Sequence, residues 1–246
     1  VIVVQEDRGE TGSSIAAFDR KTGEQRWRTA REAKVGWNSP IAIRVGDRDE
    51  IIMSGERRVI AYDPATGEEL WRLADEAEVK IPVPFVSDGL IVLAGGFRGR
   101  PMFGVRPGGS GDISLAEGAT SGPFVAWHSE KGGPYTCTPV AYDSLLYVVR
   151  DAGILQAHDL KTGEQIHAER TGATHSASPV ASDGHLYLTG ENGEILVYRA
   201  GREPELIARN DMRDPCLATP AIAGKTLFVR TARHLYAIAE EGKASD

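Results

Sequence analysis

The chain has 246 residues, of which 41% are hydrophobic and 26% are charged, with a net charge of −7 and an isoelectric point near 5.5. This composition predicts a soluble globular protein with a large core. A mildly acidic chain disfavours nucleic acid and anionic membranes as partners. No apolar run approaches the roughly 20 residues of a membrane-spanning helix, and the sequence shows no recognisable signal peptide.

Three segments of the chain repeat one pattern without gaps. Each has an alanine, an aspartate two positions later, then Thr-Gly-Glu, and Trp or His at the eleventh position. The copies are residues 17–27, ending on Trp27, residues 61–71, ending on Trp71, and residues 157–167, ending on His167. Aspartate and threonine side chains bond local backbone N–H groups, and glycine accepts a positive φ. The Asp-x-x-Thr-Gly stretch therefore predicts a tight turn that closes a hairpin.

A second marker recurs between these segments, in which proline precedes an alternating apolar stretch. The prolines are Pro40, Pro84, Pro139, Pro179 and Pro220, spaced by 44, 55, 40 and 41 residues. Because proline lacks an N–H, it is tolerated at the start of an edge strand. We therefore expect each proline to begin the innermost of four short strands in a repeat of about 40 residues.

The two markers together resemble the tryptophan-docking repeat of quinoprotein-type β-propellers, the family of pyrroloquinoline quinone (PQQ) dehydrogenases and BamB-like outer-membrane assembly proteins. The resemblance implies an all-β propeller with four-stranded antiparallel blades, about 5.5 of them in this chain. The expected blades of this single domain are residues 1–36, 37–80, 81–133, 134–173, 174–214 and 215–246, with the first and last incomplete. This count favours part of a seven- or eight-bladed propeller over a strained six-bladed closure. Incomplete blades would promote self-association.

PQQ enzymes of this fold are expected to carry calcium, a stacking tryptophan, an aspartate base and a pair of adjacent cysteines. Here Cys137 and Cys216 are 79 positions apart, so the adjacent pair is absent. We therefore expect no PQQ or calcium, no metal site and no catalytic residue. The two cysteines are expected to be free, partly buried thiols, with a single disulfide or a role for one thiol as alternatives.

The segments that lead into the inner strands are expected to meet at one mouth of a central channel. The candidate channel-rim binding residues on these segments are Trp37, Asn38, Tyr135, His175 and Cys216. For His175 a solvated loop histidine is the alternative.

A glycine-rich stretch, residues 95–112, is expected to be an insertion in the third blade. Its Arg98, Arg100 and Arg106 are candidate loop-binding residues for an anion, because long loops on rigid scaffolds often carry function. A plain extended hairpin is the alternative. No Gly-Lys-Ser/Thr sequence follows the glycines, so a phosphate-binding P-loop is not predicted.

Strong repeats without an enzyme signature predict a non-catalytic binding or scaffolding propeller of the bacterial cell envelope. By resemblance it would be periplasmic or secreted, with protein partners at its loop faces. Two alternatives remain open, a PQQ-dependent oxidoreductase and a ligand-sensing domain of a larger receptor.

Overall fold

The structure is a computed structural model that describes residues 1–6, 12–32 and 36–239. The described residues form 23 β-strands and no helix. In chain order the strands are β1 (Ile2–Glu6), β2 (Ser13–Phe18), β3 (Gln25–Arg31), β4 (Ile41–Val45), β5 (Arg48–Gly55), β6 (Arg58–Tyr62), β7 (Glu69–Ala74), β8 (Phe85–Ser87), β9 (Leu90–Ala94), β10 (Met102–Val105), β11 (Gly111–Asp112), β12 (Val125–Ser129), β13 (Val140–Tyr142), β14 (Leu145–Arg150), β15 (Ile154–Asp159), β16 (Gln165–Arg170), β17 (Val180–Ser182), β18 (His185–Thr189), β19 (Glu194–Arg199), β20 (Glu205–Asp211), β21 (Ala221–Ala223), β22 (Thr226–Arg230) and β23 (Leu235–Ala239).

The strands form six sheets, whose neighbouring strands are antiparallel except for the parallel pair β7 and β11. The first sheet is β1-β2-β3, the second β4-β5-β6-β7 with β11 added, the third β8-β9-β10-β12, the fourth β13 to β16, the fifth β17 to β20 and the sixth β21-β22-β23. The described residues divide into two compact units. Unit 1 comprises residues 1–135 with 160–163, and unit 2 comprises residues 136–159 with those from 164 onward. Each unit contains three of the sheets.

The inner strands are joined by two-residue turns whose backbone is set by the sequence. Asp183 and Gly184 have φ values of 48° and 73°, and they connect Ser182 to His185, which pair directly. Two consecutive positive φ values are typical of the type I′ turn, whose twist matches that of a hairpin. The marker prolines lie one residue before β4, β8, β13, β17 and β21, where a missing N–H removes no ladder hydrogen bond.

The Asp-x-x-Thr-Gly segments close the outer hairpins, as the sequence predicts. In the first copy, Asp19 Oδ1 accepts hydrogen bonds from the backbone N–H groups of Lys21 (2.9 Å) and Thr22 (3.0 Å). The Thr22 hydroxyl in turn accepts from the Glu24 N–H (3.2 Å). Hydrogen bonds from Arg26 and from these backbone groups hold the pKa of Asp19 well below its usual range.

Large aromatic side chains connect neighbouring sheets in unit 1. The Trp27 indole N–H donates to the Pro64 carbonyl (2.9 Å), and its ring covers Gly67 in the turn of the second sheet. Trp127, on β12, makes the same kind of contact with the Leu160 carbonyl (2.9 Å). A buried tryptophan removes about 150–250 Å² from water, so these contacts are a large share of the packing between sheets.

The core of unit 2 lies between the fourth and fifth sheets. Its buried side chains are Leu145, Tyr147, Val149, Leu155, Ala157, Leu186, Leu188, Leu196 and Tyr198. The Tyr147 hydroxyl fixes the edge of this core, since it accepts from the Gly201 N–H at 2.8 Å and lies 3.1 Å from the Gly201 carbonyl. The core residues Leu145, Tyr147 and Val149 of β14 are two positions apart, as are Leu186 and Leu188 of β18, which is the two-residue period of a strand.

The third sheet corrects one expectation from the sequence. The glycine-rich stretch 95–112 is not a single insertion, because strand β10 runs through its middle. The extra residues lie after β10 instead, in residues 106–124, which we call the third-sheet connection. Within it β11 pairs in parallel with β7, Gly111 opposite Trp71. Gly104 and Trp127 are directly paired, the same pairing that Ala61 and Trp71 make in the second sheet.

Candidate functional site

Three aromatic residues are held on adjoining backbone segments of unit 1. The Phe97 N–H donates to the Val79 carbonyl (2.7 Å), and the Trp37 N–H donates to the carbonyl of the next residue, Lys80 (3.3 Å). The Phe97 ring packs against Tyr135 with centroids 5.7 Å apart at 51°. Trp37 is 62% exposed and Phe97 is 46% exposed. We call Trp37, Phe97 and Tyr135 the aromatic patch.

A buried ion pair supports the base of the aromatic patch. Lys80 Nζ lies 2.6 Å from Asp75 Oδ2 and donates to the carbonyls of Gly55 (2.8 Å) and Arg58 (3.0 Å). Burial lowers the pKa of Lys80, and the charge of Asp75 acts against this shift. Asn38 is also buried here and donates from Nδ2 to the Lys80 carbonyl (3.2 Å). The backbone that carries the aromatic side chains is therefore held by a buried ion pair and by the hydrogen bonds of Lys80 and Asn38.

The three arginines of the glycine-rich stretch lie in different places. The Arg98 guanidinium lies over the Phe97 ring, 5.5 Å from its centroid, and pairs with Glu78 at 3.5 Å. Arg100 precedes β10 and Arg106 follows it, and four strand residues span about 13 Å. Arg106 donates to two carbonyls of the third-sheet connection (3.0 and 3.2 Å). The structure therefore places Arg98 beside the aromatic patch and separates Arg106 from it.

His175 and Cys216 are buried in unit 2, so neither presents its functional group to solvent. The His175 ring is 1% exposed, with Nδ1 2.7 Å from the Thr189 carbonyl and Nε2 2.9 Å from the Thr171 hydroxyl. A carbonyl only accepts, so His175 carries its proton on Nδ1. Burial lowers the pKa of His175. The alternative of a solvated loop histidine is therefore wrong.

Both cysteines are free and buried. Cys137 Sγ donates to the His175 carbonyl (3.6 Å), and Cys216 Sγ donates to the Arg230 carbonyl (2.9 Å). Burial raises the pKa of the Cys137 thiol to about 12 and also raises that of Cys216. The expectation of free thiols is confirmed, and their chemistry is that of small buried apolar groups.

Two groups that define the site are not identified by sequence reasoning. Phe97 lies within the glycine-rich stretch, where only the arginines are predicted to bind a ligand. The signal in the sequence for this part of the site is the aromatic residue between Gly96 and Arg98. The Lys80–Asp75 pair carries no sequence signal, because its partners come together only through the packing of β5, β6 and the chain after β7.

The described residues contain no group of three or more His, Cys, Asp or Glu side chains placed to hold a metal ion. Within the same ranges, no helix has the length and apolar character needed to cross a membrane.

Comparison with known proteins gives a sequence match over part of the chain. Residues 11–102 match the family model described as outer membrane protein assembly factor BamB. The protein of that name from Burkholderia pseudomallei (strain K96243) is 30% identical over 102 residues, or 41% of this chain. The match spans about a quarter of that relative's length, 26%.

Solved structures match nearly the whole chain. BamB from Moraxella catarrhalis aligns over 97% of this chain and 75% of its own, with a TM-score of 0.63 at 14% identity. The C-terminal WD40 domain of Sif2 aligns over 98% of this chain and 67% of its own, with a TM-score of 0.65 at 12% identity. Saccharomyces cerevisiae Sqt1 aligns over 93% of this chain and 66% of its own, with a TM-score of 0.67 at 10% identity. At these identities the likeness concerns the fold alone. Together with the four-stranded sheets and the repeat, it shows that this chain has the β-propeller fold, and that its residues 11–102 are similar in sequence to BamB.

Proposed function

We propose that this chain is a non-catalytic binding and scaffolding propeller that captures protein partners through a loop face, in the periplasm or on the outside of a bacterial cell. The observation that carries the proposal is the aromatic patch of Trp37, Phe97 and Tyr135 on unit 1. Exposed aromatic rings grouped on adjoining segments are typical of a protein-interaction surface, whereas single exposed apolar residues are not.

The composition of the aromatic patch suits a protein partner. Tryptophan, tyrosine and arginine are the residues most enriched among interface hot spots, and Arg98 lies over Phe97. Aromatic rings bury a large area while losing few rotatable bonds, and the guanidinium supplies directional hydrogen bonds at the rim. The side chain of Trp37, more than half exposed, would act as the anchor.

The rigidity of the base supports the same function. Asn38, Lys80 and Asp75 are bonded beneath the aromatic patch, so its backbone need not be ordered when a partner arrives. A preorganised surface loses less conformational entropy on binding, and more of the contact energy then appears as affinity.

The likeness to BamB suggests the class of partner. The relatives that match are outer membrane protein assembly factors by name, so a protein of an outer-membrane assembly machinery is the proposed partner of this chain.

The experiment compares three forms of the full-length protein in its native cells. The double variant Trp37→Ala/Phe97→Ala removes the anchor and its neighbour, and Leu217→Ala is the control, since Leu217 is 63% exposed in unit 2. We expect the double variant to lose co-purifying outer-membrane assembly proteins while the control retains them. Equal recovery with all three forms would overturn the proposal.

Two further measurements bear on the alternatives. A cofactor-free protein should keep the same melting temperature when PQQ and calcium are added, whereas a quinone oxidoreductase should be stabilised by them. Self-association is proposed for the sixth sheet, where Leu235 and Ile238 are exposed on β23. Sedimentation equilibrium of Leu235→Ser/Ile238→Ser against the unmodified protein would show whether these residues hold copies together.

A further inference from the structure

The third-sheet connection, residues 106–124, lines a cavity at the edge of the third sheet. The cavity has a volume of about 560 Å³ and lies entirely within unit 1. This volume is in the range of pockets that bind small molecules. Its floor is the buried Phe103 ring, on which His128 stacks at 4.4 Å and 13°.

Contacts along its length fix the third-sheet connection in place. The Ala74 N–H donates to the Ser114 hydroxyl (2.8 Å), and the Ile113 N–H donates to the Arg72 carbonyl (2.9 Å). Ile113 is buried in the core of unit 1, and Leu115 packs against that core. These hydrogen bonds and core contacts hold the wall of the cavity in place, which favours a preformed site.

The charges around this cavity have one sign. Its lining residues include the exposed carboxylates Glu76, Glu117 and Glu130, and none of the described lining residues is lysine or arginine. The remaining lining carboxylate, Asp75, is already paired with Lys80. Among the described residues no ion pair joins the three glutamates to a basic side chain, so their charges are available to a ligand.

We infer that this cavity binds a small organic cation, an ammonium or guanidinium group on a flat apolar body. The stacked Phe103 and His128 rings would take the apolar body, and the three glutamates at the rim would take the charge. Aromatic faces and carboxylates both attract cations and disfavour anions, so the two features select the same ligand. Burial lowers the pKa of His128, so its ring is neutral at pH 7 and does not repel the cation.

This inference is independent of the proposed protein-binding function, since the aromatic patch and the cavity share no residue. The test uses three probes of equal size, benzylammonium, benzyl alcohol and benzoate, titrated into the full-length protein. Binding is followed by the His128 ring signals in an NMR spectrum, assigned with the variant His128→Gln. Benzylammonium should shift these signals at a concentration about tenfold lower than benzyl alcohol, and benzoate should leave them unchanged.

Two sets of variants locate the binding. Glu117→Gln/Glu130→Gln should weaken benzylammonium binding about fivefold or more, because two nearby charges are removed. Glu68→Gln removes an exposed charge from the turn of the second sheet and should change nothing. The inference is overturned if benzylammonium and benzyl alcohol bind alike, if the His128 signals stay in place, or if Glu68→Gln weakens binding as much as the double variant. Equal urea midpoints of all forms would show that the variants are folded.

Discussion

The Trp71 indole N–H donates to the buried carboxylate of Glu50, with Nε1 and Oε2 2.8 Å apart. Glu50 is 0% exposed, and its other oxygen accepts from Arg48. Arg48 also donates to the Gly109 carbonyl (3.3 Å) of the third-sheet connection. In the first sheet the corresponding Trp27 bonds a carbonyl of the next turn. The third sheet lacks the Asp-x-x-Thr-Gly turn that would offer Trp71 a carbonyl. Glu50 provides the acceptor for Trp71 instead.

Replacing Glu50 should destabilise the protein more than replacing its neighbour. Glu50→Ala leaves the buried Trp71 N–H without its acceptor and Arg48, whose side chain is 39% exposed, without its partner, which costs about 1–3 kcal/mol. Asp49→Ala removes an exposed partner of Arg44 and should cost less than about 1 kcal/mol. Urea unfolding of both variants measures the difference. Similar midpoints for the two would contradict the role given to Glu50.

Three glycines at the same turn position allow backbone strain to be separated from a steric clash. Gly23, Gly67 and Gly163 have φ values of 75°, 76° and 72°, so alanine at any of them costs about 1 kcal/mol of strain. A Cβ on Gly67 would lie 2.5 Å from Trp27, whereas one on Gly23 would contact nothing. Gly67→Ala should therefore lose about 1–3 kcal/mol more than Gly23→Ala in urea unfolding. An equal loss would show that the Trp27 ring does not press on this turn.

The burial of His175 predicts a pH dependence of stability. Its pKa in the folded protein is lowered from 6.5, so the unfolded chain binds more protons as the pH falls below that value. The stability from neutral His175 is present above about pH 6.5 and is lost as the pH falls through the folded pKa. Between pH 7.5 and 5.5 the urea midpoint should fall more for the unmodified protein than for His175→Gln. Parallel pH profiles would refute this, and His128, also of lowered pKa, contributes equally to both proteins.

The two thiols should be unreactive until the protein unfolds. With a pKa of about 12, only about one Cys137 side chain in ten thousand is a thiolate at pH 8. Cys216 is 1% exposed and its pKa is also raised. Labelling with a disulfide reagent at pH 8 should therefore be slow for the folded protein and fast in urea for both residues. Fast labelling of either thiol in the folded protein would contradict the burial described for it.

The repeats allowed much of the fold to be predicted from local sequence. The Asp-x-x-Thr-Gly turns and the marker prolines act through residues close in the chain. The local sequence around Asp19 and Pro40 is therefore enough to predict the turn and the strand start at these positions. The pairing of position 104 with Trp127 is harder to predict, because glycine stands where the repeat has alanine and 22 residues lie between the two positions. No local rule measures a connection of that length, so the insertion expected at residues 95–112 includes β10 and covers only the first part of the connection.

The candidate site was only partly predictable. Trp37 and Tyr135 follow from their place before inner strands, and the structure puts both beside Phe97 or its backbone partners. His175 has a similar place in the sequence but is buried, because Thr171 and Thr189 supply partners for both ring nitrogens. Sequence position predicts which segment a residue lies on, whereas exposure depends on whether nearby polar groups can satisfy it inside the fold.

Site-specific cross-linking in living cells shows whether the aromatic patch is a partner-binding surface. A photoreactive phenylalanine analogue replaces Phe97 in one full-length protein and Leu217 in another, both positions being exposed. We expect a discrete cross-link from position 97 to a protein of the outer-membrane assembly machinery, lost when Trp37→Ala is added, and none from position 217. No cross-link from position 97, or the same product from both positions, would contradict it.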